Sequence, residues 1–423
     1  MSHRAETSAV PMTKLKRAVL ETFRAKTPDE LSACLSVFGR REWVRNYRWL
    51  DSSGIALYFL DRLKTLDIAH VLPVSILEHL EKNQVANKKR IANLFAEFVA
   101  INHKFQRANI VYFNVKGFAS VPVSCPDPVL RAQINLDFVM SASDAVACSK
   151  ALAELGYSLV SYSEHVWEFE VEAPEALRPL NIYEITPSRI VKIYVVSPGD
   201  DSHREAYQQL LHRQSQTWNG ITFPVASDSD AFINQSIHIF GRVCSEWSRL
   251  SWLLEYKACV DFRRDDATFL RNVQQNAQNN PDRVIAIGVA LSLIKTILGA
   301  IIPPSLEEWT ILKLDGSINL WIRHYGEEVL LANYPGTKRY LYLRDLLASS
   351  QRKKNSDSIK IPPLPPSFQP NDISRPKGLR HQSYRTLVKA NRKVFRMKFH
   401  LVENVRNALG ARHWKRLLSG DAN

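Results

Sequence analysis

Apolar positions repeat at helical spacing through the first quarter of the chain. Residues 60–66 and 77–80 carry them at i, i+3 and i+4. A longer run over 89–105 places Ile91, Leu94, Phe95, Phe98 and Ile101 on one side. Gly54 and Pro73 punctuate these segments, so 1–105 is expected to be a helical N-terminal region. The period then shortens. Residues 110–115 form an apolar and aromatic run that ends at Lys116-Gly117, and three prolines mark 119–129 as loop. Residues 134–140, 166–171, 180–185 and 190–196 read as strands. Between the first two, Ser143 is the expected cap of a helix over 144–155 that Gly156 closes. This order predicts a small α/β sheet core over 106–215.

Helical spacing returns over 232–247 and 250–262, and 216–350 is expected to be a helical C-terminal region. Residues 284–302 are almost wholly apolar and close to the length of a membrane span. Lys295 lies near the middle, and Asn280, Pro281 and Asp282 read as the capped start of a soluble helix, so a buried helix is expected. Residues 351–380 contain Ile361-Pro-Pro-Leu-Pro-Pro366 and read as an extended linker. Beyond it, 381–423 resumes helical periodicity with Lys and Arg between the apolar positions. The fold class expected is α+β: a small mixed-sheet core flanked by helical N- and C-terminal regions, with a linker and a basic amphipathic tail.

Composition changes one part of this picture. The 423 residues hold 56 Lys+Arg against 42 Asp+Glu, a net of +14. Residues 352–423 hold 17 of the basic and 4 of the acidic residues, a net of +13, which leaves +1 for the body. The charge therefore belongs to an appendage. A solvated basic face, an anionic membrane surface and a nucleic acid are its three readings. Five cysteines with no CxxC spacing fit a reducing compartment, so a cytoplasmic protein is expected, peripheral to a membrane if the tail docks there. No G-x-S-x-G and no phosphate-loop G-x-x-x-x-G-K-[ST] occurs, and His165 and His238 lack zinc-ligand spacing.

The candidate chemistry lies in the sheet core. Asn135 and Asp137 are two apart on an expected strand, so they share one face while Leu136 and Phe138 point to the other. Oxygen-bearing side chains placed in this way suit magnesium, and a third carboxylate from a neighbouring strand is expected at Glu184. Read alone, Lys116-Gly117 is also an ordinary strand-ending turn, Arg131 a loop ion pair, and Glu184 an exposed cross-strand partner.

Several short motifs stand in a fixed order. They are Val115-Lys116-Gly117, Pro126-Asp127-Pro128 with Arg131, Asn135-Leu136-Asp137-Phe138-Val139, Leu155-Gly156-Tyr157, and Ile182-Tyr183-Glu184-Ile185-Thr186. Arg249-Leu-Ser-Trp-Leu-Leu-Glu255 and Leu298-Gly299 with Pro303-Pro304 follow. In this order and spacing, about residues 45–310, the chain resembles the uncharacterised bacterial nucleotidyltransferases, a branch of the DNA polymerase beta-like nucleotidyltransferase superfamily. The resemblance implies a magnesium-dependent transfer of a nucleoside monophosphate from an NTP to a non-polymeric acceptor. It implies catalytic roles for Asp137 and Glu184, phosphate binding by Lys116, Gly117 and Arg131, and metal binding by Asn135, Asp137 and Glu184. Three positions depart from the family pattern: Asn135 stands for an aspartate, Thr186 for a histidine and Glu255 for an aspartate. The alternative reading is a catalytically inactive member that serves as a scaffold with a basic docking tail.

Overall fold

The computed structural model describes residues 9–171, 182–183, 189–197, 204–353 and 379–420. They form two compact units. One comprises residues 1–237 and 249–312, the other 238–248 and 313–423.

The first unit begins with helices α1 (Ala9–Glu21), α2 (Pro28–Ser36), α3 (Arg40–Ser52), α4 (Ala56–Thr65) and the long α5 (Val74–Arg107). At 1.5 Å per residue, α5 is about 50 Å long. Strands β1 (Tyr112–Val115) and β2 (Asn135–Ser141), helix α6 (Ala142–Glu154), and strands β3 (Ser158–Tyr162), β4 (Val166–Val171) and β5 (Arg189–Val196) follow. Helix α7 (Arg204–Leu211) and the hairpin of β6 (Gln214–Trp218) and β7 (Ile221–Val225) complete the sheet region. The seven strands form one mixed sheet in the order β3-β4-β5-β2-β1-β7-β6. Strand β2 lies near its centre, antiparallel to β1 and parallel to β5. The protein is thus α+β, with helical regions on either side of the sheet in the chain.

Alternation along the central strands divides the sheet between two cores. Leu136, Phe138 and Met140 of β2, with Val191, Ile193 and Val195 of β5, face the larger core and pack with α5 and α6. Phe98 joins three segments there: its ring centroid lies 5.0 Å from that of Phe118 and 4.9 Å from that of Phe223 on β7. The opposite face carries Phe113, Val139 and Val196 against Leu210 of α7. That second core is small, and toward the Asn135 end the same face carries Asn135 and Asp137 of β2 with Val115, Ile190 and Lys192 beside them.

Two local readings change. Helix α6 is capped by Ser141, whose hydroxyl accepts from Asp144 N at 3.1 Å. Ser141 has the extended backbone a cap needs, whereas Ser143 is already within the helix. Strand β3 and the β6–β7 hairpin extend the sheet beyond what periodicity indicated, out to Val225. Asn219 and Gly220 both have positive φ (47° and 80°), the backbone of a two-residue hairpin turn that suits this sequence pair. The strand expected over 180–185 falls mainly outside the described residues, which there include only Ile182 and Tyr183.

The unit continues through α8 (Asp228–Val243), whose last turns belong to the second unit, then α9 (Leu250–Phe262), α10 (Ala267–Ala277), α11 (Pro281–Leu298) and α12 (Pro304–Glu307). Asn280 caps α11 by accepting from Asp282 N and Arg283 N, and Gly299 closes it at φ 64°. Ile287, Leu291 and Ile294 are fully buried. An all-round apolar helix of this kind is a core element. Among the described residues no helix is long and apolar enough to cross a membrane.

In the second unit, α13 (Gly316–Trp321), a wider π turn over 322–326, α14 (Glu327–Leu330) and α15 (Tyr340–Lys353) precede the 41-residue α16 (Leu379–Ser419). The expected linker over 351–380 lies almost entirely outside the described residues.

Phe98→Ala should lower the free energy of unfolding by about 3–5 kcal/mol, because it opens a cavity where α5, Phe118 and β7 meet. Urea titration checks this, with the midpoint falling and the denaturant slope unchanged.

Candidate functional site

Strand β2 presents Asn135 and Asp137 on the face left uncovered by the larger core. Asp137 is buried, and its Oδ1 accepts from Asn135 Nδ2 at 2.7 Å. The amide nitrogen must face the carboxylate, since two oxygens at that distance would repel. Asp137 stands opposite Val115 on β1 and Lys192 on β5. Two residues along β5, Tyr194 donates its hydroxyl to the same Asp137 Oδ1 at 3.4 Å. The negative charge of Asp137, with burial second, raises the Tyr194 phenol above its usual pKa.

Lys116 completes this polar chain. Its Nζ donates to Tyr194 Oη at 3.1 Å and lies 4.9 Å from the ring centroid. It reaches there because the chain turns sharply after β1. Lys116 has φ 60° and Gly117 φ 50°, two successive left-handed residues. At Lys116 that shape costs of order 1–3 kcal/mol. Gly117 is required for a second reason. A Cβ there would sit 2.3 Å from Gln133 Nε2, which donates to the Asn135 carbonyl at 3.0 Å. The turn and the start of β2 are therefore packed directly on each other.

Arg131 lies on the approach to β2 and is nearly buried. Its Nη1 is 3.4 Å from Oε2 of Glu255, on α9. Tyr58 of α4 donates to the other oxygen, Oε1, at 3.0 Å, and its hydroxyl lies 3.7 Å from Cys125 Sγ. Burial is the first influence on each group here. It raises the Glu255 carboxyl against the pull of Arg131, and it pushes the Cys125 thiol up to about 12. For Arg131, burial works downward, but Glu255, Cys125, Tyr58 and Asp137 outweigh it and raise the guanidinium. Arg131 therefore feels the Asp137 carboxylate as well as its own partner.

A pair on α5 fixes the loop that carries Arg131. Asn87, fully buried, donates to the carbonyls of Val129 (2.5 Å) and Arg131 (3.0 Å). Its Oδ1 accepts from Arg90 Nη2 at 2.6 Å, and Arg90 Nη1 donates to the Ile182 carbonyl.

Of the expected site residues, Lys116, Asn135 and Asp137 are linked through Tyr194, with Gly117 shaping the turn. Arg131 is close by, paired to Glu255. Glu184 and Thr186 lie outside the described residues. Periodicity alone did not single out Tyr194, Tyr58, Gln133, Asn87 or Arg90. Tyr194 needs the β2–β5 register, while Tyr58 and Glu255 meet across 197 residues of chain. Glu168, ion-paired to Lys192 at 3.1 Å, shares Asp137's row of the sheet two strands away. The alternation of Val166-Trp-Glu-Phe-Glu-Val171 is the sequence signal that carries it.

Among the described residues no group of three or more His, Cys, Asp or Glu side chains is placed to hold a metal ion. Asp137 supplies a carboxylate and Asn135 an amide oxygen. That donor set fits one magnesium ion that retains water and phosphate oxygens as its other ligands.

A family model described as uncharacterised nucleotidyltransferase matches residues 39–280, more than half of the chain. The chain belongs to this nucleotidyltransferase family. No curated protein matches it. Among solved structures, it is similar to an antigenic nucleotidyltransferase-like protein from Paracoccidioides brasiliensis at 16% identity, covering 49% of this chain and 94% of that one, with a TM-score of 0.30. A score that low fixes no residue correspondence. For this nucleotidyltransferase-family chain, the match contains the Lys116 turn, β2, β5 and Glu255.

Two substitutions test the local physics. Glu255→Gln leaves the buried Arg131 guanidinium without its counter-charge and should cost about 3–5 kcal/mol in chemical unfolding. Gly117→Ala should cost at least ~1–2 kcal/mol from its left-handed backbone alone, and more from displacing Gln133. A melting temperature equal to that of the wild type would contradict the packing described for Gly117.

Proposed function

We propose that this chain is a magnesium-dependent nucleotidyltransferase that moves a nucleoside monophosphate group from an NTP to a non-polymeric acceptor. The observation that carries this reading is the Lys116–Tyr194–Asp137–Asn135 chain of polar contacts at the Asn135 end of β2. It puts a cation and an anion within one side chain of each other, as a metal-bound triphosphate requires. Family membership supports the reaction class.

Asn135 and Asp137 would hold the magnesium, which when bound neutralises phosphate charge and polarises the reacting phosphoryl group. Lys116 supplies positive charge to the phosphates, and the Gly117 turn lets the backbone approach them. Arg131 adds a second cationic field beside Asp137. In the reaction, the acceptor oxygen bonds to the α-phosphorus, the bond to the bridging oxygen breaks and pyrophosphate departs. A carboxylate, Asp137 or Glu184, takes the acceptor's proton. Glu184 enters by the family resemblance.

One observation favours a second reading, a family member that binds nucleotide without transferring it. Asn135 brings no charge and uses its amide on Asp137, so the described pair offers a single negative charge to a divalent ion. The two readings separate experimentally. Pyrophosphate release from NTP with magnesium should fall by about 10²–10⁴-fold in Asp137→Ala. Asn135→Asp should tighten magnesium binding at least about tenfold by its added charge. NTP binding with no pyrophosphate release in wild type or Asn135→Asp would establish the second reading. Absence of both binding and release would dispose of the enzyme.

A further inference from the structure

Helix α16 uses two opposite faces. One packs within the second unit. Trp414 is buried between Tyr342, stacked at 5.8 Å, and Tyr325 at 5.5 Å. Glu403 is buried with its carboxylate on Lys338 N and Arg406, and Arg396 pairs with Glu246 at 2.8 Å. Positions 396, 403, 407 and 414 recur every three to four residues or a multiple of that, which is one helical face.

The other face is exposed and apolar. Val394, Met397, Leu401, Val405 and Leu409 follow at spacings of 3, 4, 4 and 4, with Leu401 68% and Leu409 75% exposed. The row is about 22 Å long. Exposed basic side chains flank and extend it: Lys398, Arg412, Lys415 and Arg416. From residue 379 to 419 the helix has eleven Lys+Arg and one acidic residue, Glu403, which is on the packed face. An uncovered apolar row this regular marks an interaction surface.

We propose that this face of α16 docks on an anionic lipid bilayer. The charge decides against a second copy of the chain, since two such helices would bring like charges together. The apolar row decides against nucleic acid, because phosphates would meet the basic residues but leave five large apolar side chains in water. A bilayer surface satisfies both, with the apolar row in the acyl boundary and Lys and Arg among acidic headgroups. Docking needs no unfolding, since the packed face remains on its own unit.

The test is sedimentation of the full chain with vesicles of phosphatidylcholine alone and of an equimolar mixture with phosphatidylserine. The wild type should bind the anionic vesicles, weaken as salt is raised, and leave the neutral ones unbound. Lys398→Ala with Arg412→Ala should weaken binding roughly 25-fold. Leu401→Ser, Val405→Ser and Leu409→Ser together should weaken it by more than about tenfold. All five side chains are exposed, and unchanged helicity by circular dichroism checks that these variants fold. Equal binding to both vesicle types, or full binding by the triple serine variant, would overturn the proposal. So would a wild-type dimer that the triple serine variant abolishes, or wild-type binding to duplex RNA with none to vesicles.

Discussion

Asn87 sits in the middle of α5 with no exposure to solvent, and both hydrogens of its amide go to main-chain carbonyls of one loop. Much of the site depends on this bond pair. The loop ends at Arg131, four residues before β2 begins with Asn135. A buried amide that lost these acceptors would be left unsatisfied at a cost of about 1–3 kcal/mol, so the loop is held in one position. Through Arg90 the same helix also holds the Ile182 carbonyl. One turn of α5 thus sets where the cation of Arg131 and the residues just before Glu184 stand relative to the sheet.

The electrostatics follow from that placement. The body of the chain is nearly neutral, so no general field draws an anion toward β2. Local groups must do so. Lys116 touches Tyr194, Tyr194 touches Asp137, and Arg131 is balanced by Glu255. The Arg131–Glu255 pair is expensive to form, since both ions are largely removed from water. It is kept by the hydrogen bond from Tyr58 and by the opposite charge. It leaves Arg131 charged and fixed in direction, close enough to Asp137 to feel its field.

The central elements were legible because their residues repeat at the right period. Leu136, Phe138 and Met140 announce β2, and the same alternation assigns Asn135 and Asp137 to the other face. Asn280-Pro281-Asp282 announces the start of α11. The sheet edges were harder. Strand β3 is mostly exposed and lacks apolar alternation, and Gln214–Trp218 is polar, so only Asn219-Gly220 marks that hairpin. The partners of the site were hidden for a different reason. Tyr194 reaches Asp137 through strand register, and Glu255 reaches Arg131 across more than a hundred residues. Periodicity within a segment contains neither fact. The cap of α6 was misplaced by two residues because Ser141 and Ser143 are equally good caps by composition, and only the extended backbone of Ser141 separates them.

The turn at Lys116 sets two demands against each other. A side chain is a burden on a left-handed backbone, and glycine would carry the same φ without strain. Yet the ammonium over Tyr194 exists only because a long side chain stands there. Selection for heat resistance alone would drift toward glycine at this position and discard the cation. A variant library sorted by melting temperature and one sorted by nucleotide capture would therefore rank position 116 in opposite order.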